Sequence, residues 1–182
     1  MILASASPRR QEICERLGLT FEVIPAKTEL PGDPTLAVED AVLRIARGKA
    51  QEVADAYPDT PVLGADTVVV IDGEVLGKPR DEAHAAEMLR RLSGRTHRVI
   101  TAVWLCHGAQ SGGFADSAEV TFLPLTDAEI AEYIASGEPM DKAGSYGIQG
   151  NGMRYIRGIH GDFYTVMGLP AGRLYEFLKE RL

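Results

Sequence analysis

Two adjacent arginines, Arg9 and Arg10, occupy the predicted first turn of a helix near the start of the chain. Ser7 lies at the predicted N-cap, and Pro8 lies at the first helical position, where its missing N–H costs nothing. Cations are unfavourable there because a helix N-terminus already carries partial positive charge. Hydroxyls, free backbone N–H groups and two guanidinium groups at one helix start favour a phosphate chain, whose charge would offset this repulsion. The stretch SASPRR therefore predicts phosphate binding.

A lysine interrupts the apolar face of a long predicted helix. The apolar positions follow helical spacing and are Val42, Ile45, Ala46, Ala50 and Val53. Lys49 takes the i+7 position of this stripe, so we expect its side chain to point inward. The alternative is a lysine whose stem covers apolar surface while its ammonium reaches water.

An aspartate and a second lysine belong to the β-rich run PVLGADTVVVIDGEVLGKP. An unpaired ionised carboxylate is costly in such a run. Asp66 is therefore either a turn or cap residue after Gly64, or a general base or metal ligand at the end of a strand. Lys78 follows in a short loop, where an exposed lysine without a function is the alternative to a phosphate ligand.

The segment MDKAGSYGIQG contains glycines at three-residue spacing, Gly144, Gly147 and Gly150. Such a loop lets the backbone come close to a ligand, to which Tyr146 and Gln149 would offer a ring and an amide edge. A structural turn is the usual meaning of a lone glycine-rich loop. The charged residues found elsewhere in the sequence make a ligand-binding role for this segment a stronger hypothesis.

Length and composition indicate one soluble domain over residues 1–182. Of the 182 residues, 45% are hydrophobic and 25% are charged, as in ordinary globular proteins. The net charge of −7 argues against binding a nucleic acid polymer. Cys14 and Cys106 belong to no C-x-x-C pair, and we expect both to be buried. No apolar run reaches the length of a membrane span and no signal peptide is recognised, which predicts a cytoplasmic protein without membrane contact.

Helical and strand-like segments alternate along the chain. The predicted helices are Arg9–Leu17, Leu36–Tyr57, Asp81–Leu92, Asp127–Ala135 and Leu169–Leu182. The predicted strands are Ile2–Ala4, Phe21–Ile24, Val62–Leu63, Thr67–Ile71, Glu74–Leu76, Thr96–Cys106, Phe114–Leu123, Arg154–Ile159 and Phe163–Val166. Asp72-Gly73 predicts a tight hairpin, and residues 108–113 predict a longer one. The pattern indicates an α/β fold with a mixed β-sheet and flanking helices.

Taken together, these stretches resemble the Maf family of nucleoside triphosphate pyrophosphatases. The matching segments are LASASPRR, ARGKA, LGADTVV, GKPRD, SGRTHRVITAV, DKAGSYGIQG and GLP. They span nearly the whole chain in family order. The resemblance implies an elongated mixed β-sheet with flanking helices and a cleft between two lobes, similar to inosine triphosphate pyrophosphatases. It also implies hydrolysis of a nucleoside triphosphate to the monophosphate and pyrophosphate, with a divalent cation.

Within this family, the forms GADT and AGSYGIQG are similar to the branch that acts on dTTP and UTP. The resemblance implies that Asp66 is the proton acceptor and that Arg9, Thr67 and Gln149 bear on substrate choice. Magnesium or manganese would be held by Asp66, with Glu29 as a second candidate ligand. Whether Asp66 acts as a base or as a metal ligand stays open.

The expected reaction is in-line attack of water on the α-phosphorus. The substrate-binding residues would be Ser7, Arg9, Arg10, Lys49, Thr67, Lys78 and Gln149. The four cations among them would neutralise charge on the departing pyrophosphate, and Thr67 and Gln149 would face sugar and base. One alternative is the same reaction with another base preference, such as modified nucleotides, CTP or 7-methyl-GTP. Another is a non-catalytic nucleotide-binding regulator of cell division. The oligomeric state stays open, a homodimer being one option.

Overall fold

The computed structural model describes residues 1–28 and 30–182. Its strands are β1 (Ile2–Leu3), β2 (Glu22–Val23), β3 (Val62–Ile71), β4 (Glu74–Leu76), β5 (Thr96–His107), β6 (Gln110–Phe122) and β7 (Ile156–His160). Its α-helices are α1 (Pro8–Arg16), α2 (Val38–Ala54), α3 (Glu82–Leu92), α4 (Asp127–Ala135), α5 (Phe163–Met167) and α6 (Ala171–Lys179). Short 3₁₀ helices cover Glu138–Asp141, Ala143–Ser145 and Asn151–Tyr155.

The strands form one mixed sheet. Its order is β2-β1-β3-β5-β6-β7, with β4 paired to β3. Strand β1 is parallel to both β2 and β3, whereas β4 is antiparallel to β3 and β7 is antiparallel to β6. The predicted α/β class with a mixed sheet and flanking helices is confirmed. The elongated shape, the cleft between two lobes and the single domain over residues 1–182 stay predictions.

The residues cluster into two compact units. The first unit comprises Met1–Thr67, Thr101–Asp116 and Gly168–Leu182, and the second comprises Val68–Ile100 and Ser117–Met167. Strands β3, β5 and β6 each contribute residues to both units.

Close packing of helix α2 on strand β3 organises the first unit. The apolar stripe predicted on α2 is buried as expected, over Val42, Ile45, Ala46, Ala50 and Val53. Gly64 allows the approach, because a Cβ atom there would overlap the Ala46 carbonyl oxygen and lie 2.7 Å from the Ala50 nitrogen. Any larger side chain would push the helix away from the strand.

The second unit has its own apolar core under helices α3 and α4. Its most buried members are Ala85, Leu89, Leu92, Val120, Phe122 and Tyr133. The Asp72-Gly73 hairpin is confirmed: both residues have positive φ, 53° and 77°, and Ile71 pairs with Glu74 across the turn. Helix α4 begins with a complete capping box between Thr126 and Glu129.

Several predicted elements are wrong or shifted. The predicted strand Phe163–Val166 is helix α5, because the Asp162 carboxylate accepts from the backbone N–H groups of Tyr164 and Thr165, both at 3.1 Å. The second hairpin is shorter than expected, since β6 already begins at Gln110. The predicted break between Leu63 and Thr67 does not exist, because β3 runs through it.

The expectation for the two cysteines is confirmed. Cys14 and Cys106 are both buried free thiols, as predicted. Among the described residues, no helix is both long enough and apolar enough to cross a membrane.

Candidate active site

The described residues of the predicted site divide between the two units. The first unit contains Ser7, Arg9, Arg10, Lys49, Asp66 and Thr67, and the second contains Lys78 and Gln149. Glu29, the second metal-ligand candidate, lies outside the described residues.

Lys49 and Asp66 form an ion pair in the first unit. The Lys49 Nζ lies 2.6 Å from Asp66 Oδ1, and the two side chains are 17% and 16% exposed. Lys49 comes from the inner face of α2 and Asp66 from the middle of β3, so the interpretation of Asp66 as a turn, cap or strand-end residue is wrong. The close approach at Gly64 brings helix and strand near enough for this contact. The inward direction predicted for Lys49 is confirmed.

The Asp66 carboxylate keeps one oxygen available for chemistry. Oδ1 accepts from Lys49, and Oδ2 has no hydrogen-bond partner among the described residues. Within the same residues, no group of three or more His, Cys, Asp or Glu side chains forms a candidate metal site. Magnesium in phosphate-processing sites is often held by one or two carboxylates together with substrate phosphates and water. A single carboxylate with one open oxygen fits that donor set.

Arg10 is the centre of a hydrogen-bond network. Its Nη1 donates to Ser5 Oγ at 3.0 Å, its Nη2 to Thr67 Oγ1 at 3.0 Å, and its Nε to the Gly168 carbonyl oxygen at 2.9 Å. Burial lowers the pKa of the Arg10 guanidinium, while the nearby charge of Asp66 acts in the opposite direction. Three of the five guanidinium N–H groups are thus used within the protein, which leaves two for a ligand.

Thr101 is a member of this network that the sequence reasoning missed. Its hydroxyl lies 2.9 Å from the Thr67 hydroxyl, and its side chain is fully buried. The available signal was a polar residue inside the apolar run VITAV. Buried hydroxyl groups are normally hydrogen-bonded, so such a residue indicates a specific partner.

The beginning of helix α1 suits an anion. Ser7 is its N-cap residue, but the Ser7 side chain caps no helical N–H, and the first turn contains no acidic residue. Arg9 is half-buried and has no hydrogen-bond or ion-pair partner among the described residues. The predicted N-cap and the position of Pro8 are confirmed. Uncapped N–H groups beside an unpaired guanidinium are the features of a phosphate-binding helix start.

In the second unit, Lys78 and Gln149 belong to neighbouring segments. Lys78 is exposed in the loop after β4 and has no hydrogen-bond or ion-pair partner among the residues described. The Gly144 N–H donates to the Gly77 carbonyl oxygen at 3.0 Å and so joins this loop to residues 144–152, which we call the glycine segment. Gln149 is exposed within that segment.

The glycine segment uses much of its backbone internally. The Gly147 N–H donates to the Tyr133 hydroxyl at 3.0 Å, and the Asn151 N–H donates to Glu138 Oε2 at 2.8 Å. The N–H groups of Gly147 and Asn151 are therefore already used within the protein, and the predicted approach of this backbone to a ligand stays a prediction. Tyr133 and Glu138 were not identified from the sequence, since both look like ordinary residues of an amphipathic region.

Comparison with known proteins places these residues in a family. A family model described as Maf-like protein matches residues 1–181. The chain belongs to the Maf-like protein family. It is 52% identical over 179 residues to a protein of Escherichia coli O6:K15:H31 (strain 536 / UPEC) named dTTP/UTP pyrophosphatase, covering 98% of this chain and 91% of that relative. It is 51% identical over 179 residues, with the same coverage, to a Shigella flexneri protein named nucleoside triphosphate pyrophosphatase.

A solved structure supports the fold of this Maf-like chain. The Staphylococcus aureus Ham1 protein matches it with a TM-score of 0.53 at 13% identity, covering 100% of this chain and 98% of the other. This likeness concerns the fold alone.

Proposed function

We propose that this Maf-like protein is a nucleoside triphosphate pyrophosphatase that hydrolyses dTTP and UTP to the monophosphate and pyrophosphate. The observation that carries the proposal is the Lys49–Asp66 pair, which presents an open carboxylate oxygen in the same unit as a helix start suited to phosphate. The names of its relatives in Escherichia coli supply the bases, thymine and uracil.

In the proposed reaction, a water oxygen attacks the α-phosphorus and forms a new P–O bond. The bond between the α-phosphorus and the oxygen that bridges to the β-phosphorus breaks, and its electron pair leaves with pyrophosphate. Asp66 Oδ2 accepts the proton of the attacking water, because Lys49 occupies the other oxygen and fixes the orientation of the carboxylate. Phosphoryl transfer of this kind depends mainly on positioning and on stabilisation of charge.

The cationic side chains of the proposed site have different roles. Arg9 has no protein partner in the described residues and is assigned to the phosphates, together with the Ser7 hydroxyl and the N–H groups that begin α1. Arg10 offers its two remaining N–H groups and holds the Thr67 hydroxyl in place. Lys78 is assigned to the departing pyrophosphate, whose developing charge it would neutralise.

A divalent cation, magnesium or manganese, belongs to the proposal. Asp66 would hold it as the alternative to accepting the proton, since only Oδ2 is open, and Glu29 is a second candidate ligand that lies outside the described residues. When bound, the cation would supply charge neutralisation at the phosphate oxygens. Removal of divalent cations with EDTA should therefore abolish turnover, and added magnesium or manganese should restore it.

Base choice is assigned to Gln149 and Thr67. Thymine and uracil present a carbonyl oxygen, an N3–H donor and a second carbonyl oxygen along the pairing edge. The amide of Gln149 has one acceptor and two donor hydrogens, so it can match the N3–H and a flanking carbonyl together. Cytosine presents an N3 acceptor and an N4 amino donor instead, so a Gln149 amide held in the orientation that suits thymine and uracil would leave these groups unpaired. A site built on polar pairing in one fixed orientation discriminates strongly against such a base.

The test is a pyrophosphate-release assay with dTTP, UTP, CTP, GTP and ATP, run with magnesium, with manganese and with EDTA. We expect dTTP and UTP to give the highest kcat/KM. Hydrolysis in heavy-oxygen water locates the bond that forms, since attack on the α-phosphorus labels the nucleoside monophosphate and attack on the β-phosphorus labels pyrophosphate. Label in pyrophosphate would contradict the mechanism.

The assay also separates the alternatives. A high kcat/KM with CTP or with modified nucleotides such as 7-methyl-GTP would keep the reaction and change the substrate. Nucleotide binding without pyrophosphate release would favour a regulator of cell division. The cytoplasmic location and the homodimer stay predictions, for which fractionation of cells and size-exclusion chromatography are the direct measurements.

A further inference from the structure

One partly buried carboxylate of the second unit anchors the glycine segment. Glu138 Oε1 accepts from the Tyr133 hydroxyl at 2.8 Å and from the Gly152 N–H at 3.2 Å, and Oε2 accepts from the Asn151 N–H at 2.8 Å. The Tyr133 hydroxyl accepts in turn from the Gly147 N–H at 3.0 Å. Backbone groups at both ends of residues 147–152 are thus tied to Glu138, directly or through one hydroxyl.

The direction of these hydrogen bonds suits an ionised carboxylate. The Tyr133 hydroxyl accepts from Gly147 with a lone pair and donates its one proton to Glu138. Glu138 therefore receives three donors, and a carboxylate can accept all of them. A glutamine at this position would turn an NH₂ group toward at least one donor, which leaves that donor unsatisfied.

Packing brings the glycine segment into direct contact with the anchor. A Cβ atom on Gly150 would overlap the Glu138 carboxylate, and a Cβ atom on Gly152 would lie 2.6 Å from the Tyr133 hydroxyl. These glycines are therefore explained by contact with the protein itself. Their spacing reflects an internal anchor as well as any approach to a ligand.

Electrostatics agree with this geometry. Burial alone would raise the pKa of the Glu138 carboxyl, but hydrogen bonds from Asn151, Tyr133 and Gly152 outweigh it and lower the pKa below its ordinary value. The carboxylate is accordingly ionised at neutral pH and able to accept from every donor around it.

We propose that Glu138 is a positioning residue for base specificity, which holds the glycine segment, and Gln149 with it, in one conformation. This inference rests on the proposed function, in which Gln149 reads the base. Gln149 lies between the anchored N–H groups of Gly147 and Asn151. Glu138 acts through them, since its own oxygens are occupied by protein donors.

Loss of the anchor should affect discrimination more than chemistry. An amide must meet the N3–H and the carbonyl of the base at the same time, so a small displacement weakens the matched base more than a mismatched one. The Lys49–Asp66 pair belongs to the first unit, whereas Glu138 belongs to the second. We therefore expect kcat for dTTP to change less than the ratio between substrates.

The kinetic experiment compares Glu138→Gln with Glu132→Gln in the full chain. Glu132 is an exposed carboxylate on helix α4, paired with Arg154 at 2.9 Å, so the same chemical change there is the matched control. For Glu138→Gln we expect the ratio of kcat/KM for UTP over CTP to fall by about tenfold, mainly through a raised KM for UTP. The control variant should keep the wild-type ratio.

A second experiment measures the anchor without any nucleotide. Tyr133→Phe keeps the buried ring and removes only the hydroxyl that links Gly147 to Glu138. Amide hydrogen exchange over residues 147–152 should be faster in Tyr133→Phe and in Glu138→Gln than in wild type. Exchange in Glu132→Gln should equal that of wild type. If Glu138→Gln does not fold, the exchange measurement on Tyr133→Phe still tests the anchor.

The outcomes separate this inference from the proposed function. An equal loss of kcat/KM for UTP and CTP in Glu138→Gln, or unchanged exchange over residues 147–152, would overturn the role of Glu138. A wild-type protein that does not prefer dTTP and UTP would instead overturn the proposed substrate. In that case the exchange measurement would still decide whether Glu138 anchors the segment.

Discussion

Asp66 and Lys49 compensate each other's charge at a position where neither is fully hydrated. Each side chain is about one-sixth exposed, at 16% and 17%, so each would lose part of its hydration without a partner. The pair also gives the two carboxylate oxygens different surroundings, one bound to Lys49 and the other open. This asymmetry would let the ion pair also serve as the proposed base or cation ligand.

Asp66→Asn should separate chemistry from folding. The amide keeps the size of the side chain and can still accept from Lys49, so we expect the fold and nucleotide binding to persist. Turnover should fall by roughly 10²–10⁴-fold, the usual contribution of a general base. Steady-state kinetics with dTTP and a thermal melt measure both.

The matched control for this change is Asp59→Asn, an exposed aspartate of the same unit. It should keep wild-type turnover. If Asp66→Asn retained turnover within a factor of about two, Asp66 would have no part in the proton transfer.

At the scale of elements, the site depends on how closely α2 lies on β3. Gly64 is a point of close approach, and the two nearest atoms that a Cβ would meet there are backbone atoms of the helix, which cannot rotate away. The Lys49–Asp66 contact is made by these two elements, one residue from each. Helix position and site geometry are therefore controlled by the same glycine.

Gly64→Ala should accordingly damage both stability and activity. Overpacking of this kind costs about 1–3 kcal/mol of unfolding free energy. Because the helix must shift away from the strand, the Lys49–Asp66 contact should lengthen, and kcat should fall by about tenfold or more. Urea denaturation and steady-state kinetics are the measurements.

Gly172→Ala provides the control for this variant. Gly172 lies in helix α6 of the same unit, and a Cβ atom there would meet nothing within 4 Å. Alanine is favoured over glycine in a helix, so stability should stay unchanged or rise by up to about 1 kcal/mol. Equal behaviour of the two variants would contradict the packing argument.

At the scale of the whole molecule, the chain divides into two compact units, and the second contains a buried histidine. His97 is 2% exposed, its Nε2 lies 2.7 Å from the Tyr146 hydroxyl, and Phe122 packs edge-on against its ring. Its Nδ1 has no hydrogen-bond partner among the described residues. Burial lowers the pKa of His97 from 6.5 to about 4.

This depressed pKa predicts acid sensitivity of the fold. Between pH 6.5 and about 4, the unfolded chain binds a proton at His97 that the folded chain does not. Stability contributed by the neutral ring is therefore complete above pH 6.5 and is lost as the pH falls through this window. The slope should approach about 1.4 kcal/mol per pH unit, the value for one proton.

Urea denaturation at several pH values tests this prediction by comparing wild type with His97→Gln. The variant should lose most of the slope between pH 6.5 and 4, because glutamine does not titrate. His160→Gln, at an exposed position of β7, should behave like wild type. A wild-type slope in His97→Gln would assign the acid sensitivity to other groups.

Local sequence patterns predicted the structure correctly wherever a single stretch of chain determines its own conformation. Helical spacing identified α2 and the inward direction of Lys49, and the Asp72-Gly73 pair identified its hairpin. Where the local signal was ambiguous, prediction failed. Phe163–Val166 contains aromatic and β-branched residues, but the preceding Asp162 caps a helix. A carboxylate that accepts from the next turn outweighs the β-propensity of so short a run.

The sequence alone determined the residue types of the site, the α/β class and the resemblance to a pyrophosphatase family. Only the tertiary structure decided which residues these side chains pair with. Asp66 pairs with Lys49 across 17 positions, and Arg10 donates to Gly168 across 158. Such contacts depend on how distant elements pack, which periodicity does not encode. The glycine segment was likewise predicted as a ligand loop, because its contact with Glu138 forms only when the chain folds and no local pattern indicates it.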